Sequence, residues 1–379
     1  MMFDYDTIRI IWWAILGTVL IGFAIMDGFD MGIGILLPFM GKTDEERRVI
    51  INSIGPVWEG NQVWLVTAGA GLFAAWPTVY GVAFSGFYFA LLLTLFALFF
   101  RPLGFDYRSK LPNKGWRSFW DWGLFVGAFV PALVFGVAFG NLLQGVPFNF
   151  DADLRVTYYG TLLGLLNPFA LLAGIISLAM LVMHGAVFLQ IRSDAVIYQR
   201  SKKMVIRAGI VLLIAFAVAS IWVSRINGYH ITSNIDPNAV SNPLLKTVAV
   251  SPGLWLDNYE HYPALWLTPL SVFLLSAATL VSSKFERPGL AFICSSLTIA
   301  AVILTAGISM FPFLLPSSLS PTSSLTVWDA SSSQRTLNIM FWAMLIFLPV
   351  VIAYTSWVYR VLRGKLTVAI IRNNDHTLY

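Results

Sequence analysis

Cysteine, histidine and charge are all scarce in this chain of 379 residues. The one cysteine, Cys294, excludes an internal disulfide, and its neighbours Ala291-Phe292-Ile293 and Leu297 mark it as a small buried residue of a helix. Of the four histidines only His184 falls in an apolar run; His230 and His261 lie in or beside a polar stretch and His376 in the tail. Two axial histidines for a haem are therefore not available inside the membrane, and a lone His or Met on an apolar helix is ordinarily packing, so no metal ligand is assigned. The sequence has no Gly-Lys-Ser phosphate loop, no cysteine cluster and no His-Glu-x-x-His. Charged residues make up 11% of the chain, against about 25% in a soluble domain. That scarcity excludes a soluble enzyme.

What fills the chain is apolar: 58% of it is hydrophobic, so it reads as an all-α polytopic membrane protein. With about 20 apolar residues needed per crossing, nine helices are expected, at 8–38, 56–76, 79–100, 117–141, 160–191, 204–224, 262–283, 289–312 and 337–360. The second is the weakest, because it opens on Trp58-Glu59-Gly60-Asn61-Gln62. Dropping it would spoil the charge pattern described next. The first, about 46 Å at 1.5 Å per residue, exceeds a hydrocarbon core of about 30 Å and must tilt or protrude. No basic leader or small-residue cleavage site precedes it, so it reads as a retained helix. One integral membrane domain over 1–379 is expected, divided into four-helix bundles over 1–142 and 155–312 plus the last helix, 337–360.

With these crossings, 19 of the 24 basic residues fall on one face and five, Arg9, Arg155, Arg225, Lys246 and Arg335, on the other. Cytoplasmic loops carry the lysine and arginine excess, which puts the N-terminus outside and the C-terminus in the cytoplasm. The net charge of +5 is a topology signal and carries no nucleic-acid inference. The longest polar stretch, 225–261 on the outer face, has too few apolar residues for its own core and reads as a loop that can touch a partner.

Against this background the charges inside the spans stand out. Asp27 and Asp30 sit three apart on the first helix, where an acid costs about 2.5–3.5 kcal/mol at the centre of a span. Glu59 opens the second helix, Arg101 ends the third just before Asp106, Arg108 and Lys110, and Asp121 lies in the fourth. Two roles fit and can coexist: structural ion pairing, with Arg101 as a partner for the three aspartates, or proton handling by acids tuned by burial and an arginine. Glu59 has a further reading as a first-turn acid favoured by the helix dipole. Arg108 and Lys110 are also plain topological anchors. The segments Ala68-Gly69-Ala70-Gly71 and Gly136-Val137-Ala138-Phe139-Gly140 read as close helix contacts.

Several longer runs carry a resemblance. Asp27-Gly28-Phe29-Asp30-Met31-Gly32, Trp58-Glu59-Gly60-Asn61-Gln62-Val63-Trp64, Phe100-Arg101-Pro102-Leu103-Gly104-Phe105-Asp106-Tyr107-Arg108, Gly140-Asn141-Leu142-Leu143-Gln144-Gly145, Ser324-Leu325-Thr326-Val327-Trp328-Asp329 and the terminal Leu378-Tyr379 resemble subunit II of cytochrome bd-type ubiquinol oxidases. The match covers essentially the whole chain. It implies a bacterial inner-membrane subunit paired with a homologous subunit I, in a complex that oxidises quinol and reduces dioxygen to water with two b haems and one d haem, ligated mainly by subunit I. It implies further that Glu59, Trp64 and Asp106 match a proton-uptake path, with Asp27 and Lys110 assisting. Asp30, Arg101 and Asp121 match positions tied to integrity of the oxygen-reducing site. A structural quinone, membrane lipids and small single-helix subunits are further candidate partners. The alternative reading is a proton-coupled secondary transporter, which would show paired helix breaks in two inverted halves and act alone.

Overall fold

The computed structural model describes residues 2–193 and 195–373, so Leu378-Tyr379 and His376 lie outside the described residues. The helices are α1 (Tyr5–Met40), α2 (Asp44–Ile54), α3 (Trp58–Ala75), α4 (Pro77–Gly86), α5 (Tyr88–Leu98), α6 (Phe100–Tyr107), α7 (Lys114–Gln144), α8 (Pro168–Arg192), α9 (Ala195–Val223), α10 (Asp257–His261), α11 (Leu267–Lys284), α12 (Pro288–Met310), α13 (Gln334–Val361) and α14 (Val368–Asn373). Their starts follow from local chemistry. Asp4, Asn113, Asn167 and Ser333 each accept a backbone N–H at the head of a long helix, and Thr43 with Glu46 forms a capping box on α2. Pro168 and Pro288 occupy first helical positions, where a missing N–H is harmless.

Among the described residues eight helical segments are long and apolar enough to cross a membrane: Tyr5–Met40, Tyr88–Lys110, Lys114–Gln144, Pro168–Arg192, Val196–Val223, Pro263–Lys284, Pro288–Met310 and Gln334–Val361. The expected span at 56–76 is α3, kept out of that set by its polar first turn. It nevertheless runs the depth of the molecule. Its start lies beside Asp30, through Asn61, and its last residue, Ala75, accepts from the Ser332 N–H at the opposite end, where Trp76 bonds the Val327 carbonyl. The expected third span at 79–100 is broken at Phe87 and Phe99 into α4, α5 and α6. Arg101 therefore starts a short helix instead of ending a long one.

The core centres on α8, which lies against α1, α7, α9 and α12. Small residues permit this. A Cβ on Gly32 of α1 would stand 2.0 Å from the Leu181 carbonyl oxygen of α8, and Gly185 faces Gly32 in return. Gly136 and Gly140 of α7 meet Gly174 and Ala170 of α8 in the same way, as expected for that segment. Gly69 and Gly71 do not: among the described residues nothing stands within 4 Å of a Cβ at either, although Ala68 beside them is buried.

The loops sort into two ends. At the basic end Arg47, Arg108, Arg117, Arg200 and Arg372 find Asp121, Asp44, Glu46 and Glu45, tying segments 42–54, 101–121, 200 and 372 together. At the far end Arg9, wholly buried, donates to Ser331 Oγ, Ser241 Oγ and the Pro237 and Ala239 carbonyls, while Lys246 pairs with Asp329 at 2.8 Å. The polar stretch 225–261 forms an antiparallel hairpin, 227–231 with 248–252. It has no core of its own but drives Tyr229 and Trp255 into the main one, with Trp255 Nε1 donating to the Leu143 carbonyl.

Candidate functional site

Two charge clusters stand at the basic half. In the inner one, Arg101 closes on Asp27 with both arms of its guanidinium, at 2.9 and 2.6 Å, and all three of Asp27, Asp30 and Arg101 are at most 3% exposed. Such two-pronged charged pairs are the strong ones, and burial makes each partner depend on the other. Asp30 stands 3.9 Å from Arg101 and accepts instead from Asn61 Nδ2 at 2.8 Å; Tyr359 of α13 donates to Asn61 Oδ1 at 2.7 Å. The ring of Trp58 lies under the Arg101 guanidinium, 5.6 Å away, and stacks on Phe105.

The outer cluster is built on Asp121, buried on α7. Arg108 reaches it at 2.6 Å and Arg47 at 2.7 Å; Asp44 joins Arg108 to Arg117. This corrects the expected pairing: Arg101 binds Asp27, with Asp30 standing nearby, and Asp121 is served by Arg108 and Arg47. The reason is the short α6, which puts Arg101 and Arg108 almost two helical turns apart and so aims them at different depths. Arg108 is thus more than an anchor, being 1% exposed and paired.

Glu59, Asp106 and Lys110 are exposed, outside both clusters. The Trp58–Phe105 stack, 5.1 Å between centroids, brings the start of α3 to α6, and Glu59 and Asp106 each follow directly on one member of that stack. Trp64 is half-buried, its six-membered ring lying over Gly22 of α1. Sequence reasoning missed Asn61, Tyr359, Arg47 and Asp44 as members of the site. Asn61 had a signal, an amide in a membrane helix within the quoted Trp58 run; Tyr359 had none, since a tyrosine near a helix end reads as interfacial.

His184 tests whether this chain can hold a haem iron. Its Nδ1 faces Ser295 Oγ at 2.7 Å, its Nε2 faces the Ile25 carbonyl at 3.1 Å, and its ring stacks on Phe292. Since a carbonyl only accepts, Nε2 carries the hydrogen, and Nδ1 is covered by the Ser295 hydroxyl. Both nitrogens are used by the fold, so His184 does not fit as an axial ligand. A separate apolar cavity of about 900 Å³ lies among α1, α3, α5, α7, α8, α9 and α12, bordered by Leu20, Phe23, Leu72, Phe139, Phe216 and Val302.

Residues 8–362 match the family model described as cytochrome bd terminal oxidase subunit II. The chain is 52% identical, over the full length of both, to cytochrome bd-I ubiquinol oxidase subunit 2 of Escherichia coli K12. It is 30% identical to cytochrome bd ubiquinol oxidase subunit 2 of Bacillus subtilis, covering 94% of this chain and 96% of that one. Its fold is similar to a chain of the bd oxidase structure from Geobacillus thermodenitrificans, with TM-score 0.68, 17% identity and coverage of 94% and 98%.

Proposed function

The chain belongs to the cytochrome bd terminal oxidase subunit II family, and from that premise we propose that its basic-end charges admit protons from the cytoplasm to the oxygen-reducing site of the complex. The protein is a multi-pass inner-membrane subunit of a quinol oxidase, works together with a subunit I, and belongs to a complex that uses haem. In this reading the two form a heterodimer, joined by small single-helix subunits where present, and subunit I carries two b haems and one d haem. His184, occupied on both nitrogens, supports haem ligation outside this chain. The N-terminus lies in the periplasm and the C-terminus in the cytoplasm, with α3 as a ninth crossing; its reach from Asp30 to Ser332 supports that count. The bundles at 1–142 and 155–312, with the last helix at 337–360, then meet along α7 and α8.

One observation supports the proton role: Trp58 stacks on Phe105 and lies under buried Arg101, and exposed Glu59 and Asp106 directly follow those two rings in the chain. Glu59 and Asp106 receive protons, Lys110 holds the local field, Trp64 packs α3 to α1, and the Asp27, Asp30, Arg101 and Asp121 pairs keep the site rigid. Protons taken up on this side for water, with quinol protons released on the other, charge the membrane without a pump. The 900 Å³ cavity is the place for a structural quinone, since its apolar wall suits an isoprenoid tail or a lipid chain. The clustering of charge at one end, not at mid-membrane between inverted halves, favours this reading over a proton-coupled transporter.

The test is Glu59→Gln and Asp106→Asn, singly and together, in the whole complex. Haem content should hold while quinol-driven oxygen consumption falls about tenfold in the double variant, about 1.4 kcal/mol on the limiting step. Unchanged consumption in all three would remove the uptake role.

A further inference from the structure

We infer that Asp30 is the protonated member of the buried acid pair, with its hydrogen on Oδ1, and that Asn61 and Tyr359 are positioning residues that keep it there. The inner cluster holds two carboxyls and one guanidinium. Arg101 and Asp27 neutralise each other through two hydrogen bonds, whereas 3.9 Å from Arg101 is too long for Asp30 to take a third. Asp30 is 1% exposed. Ionised, it would add a second negative charge beside Asp27 with no counter-charge of its own, and two close carboxylates away from water do not both ionise.

The neighbouring charges do not change that balance. Arg108 is bound to Asp121 and Asp44, and Arg47 and Arg117, each 27% exposed at the side chain, are bound to Asp121 and Asp44 at the solvent edge. Arg192, near Tyr359, donates to the Leu362 and Gly364 carbonyls. His184 is held by Ser295 and Ile25.

Direction comes from Asn61. The Tyr359 hydroxyl fills Asn61 Oδ1, so the amide turns its NH₂ to Asp30 Oδ2, which must accept. The hydrogen therefore belongs on Oδ1. That oxygen has no hydrogen-bond partner among the described residues. Asp30 borders a cavity of about 10 Å³ with Arg101, Ile51, Phe105, Leu124 and Ala128, close to the room one water needs to receive a hydroxyl. This goes beyond the uptake role of Glu59 and Asp106 and does not depend on it.

The experiment is infrared absorption of the purified complex in H₂O and D₂O, with haem content measured on the same samples. The expected result is a protonated-carboxyl band that shifts in D₂O, is lost in Asp30→Asn, and moves to higher wavenumber in Asn61→Leu, where Oδ2 loses its donor. Tyr359→Phe, which frees the amide to turn, should also move it. If Asp30→Asn fails to assemble, the Asn61 and Tyr359 variants decide. No such band in the unaltered complex, or a band indifferent to both positions, would overturn the inference. Haem loss bears on assembly, and oxygen consumption on the uptake role, so the failures are separable.

Discussion

Arg101 commits both arms to Asp27, and that geometry makes it hard to replace. Arg101→Ala should cost about 3–5 kcal/mol, because it leaves a carboxylate buried without a counter-charge. Arg101→Lys should fall between, keeping the charge and losing the fork. Thermal unfolding of the detergent-solubilised complex, with haem retained as a second readout, checks the order; equal stability of all three would sink it. At this scale the acids were legible because charge in an apolar run announces itself. Their partners were less so: nothing local told Asp121 from Asp27 as the mate of Arg101, since that choice depends on the breaks at Phe87 and Phe99. Asn61 and Tyr359 were invisible as a pair, being 298 positions apart.

Elements were legible where apolar length alone decides, as in α1, α7, α8 and α12. They were less so where chemistry interrupts it. The start of α3 is polar, and one of its polar residues, Asn61, bonds the buried Asp30, so the weakest expected span by hydropathy also reaches the inner cluster. Glycine runs misled for a related reason: 68–71 and 136–140 look alike in sequence, but only the second meets a partner helix within the chain. This gives a paired prediction. Gly32→Val should prevent stable assembly, because its new carbon would collide with the Leu181 backbone of α8, which has no rotamer to yield. Gly71→Ala, with nothing near its Cβ among the described residues, should leave yield and haem content unchanged. Comparing expression and heat resistance of the two variants tests the α1–α8 crossing; an intact Gly32→Val protein would refute it.

For the whole molecule, the basic-residue count anticipated which loops meet, and the ion pairs at one end bear out that grouping. Orientation in the cell has a direct test. Cys294 is 8% exposed, so single new cysteines report against a quiet background. In whole cells a membrane-impermeant maleimide should label Val240→Cys, which is 86% exposed at the far end, and should reach Lys203→Cys only after the membrane is opened. The reverse pattern would invert the proposed topology. The long helix α13 also ties the two ends of the molecule together. Asn338 of α13 accepts from the Phe3 N–H at one end of the molecule, while Tyr359 of α13 closes on Asn61 at the other. Segments hundreds of positions apart in the chain are therefore fastened through one helix. Without residue 359 the chain would hold its acids and arginine but leave Asn61 without its tyrosine donor, so the buried cluster is complete only once α13 has docked.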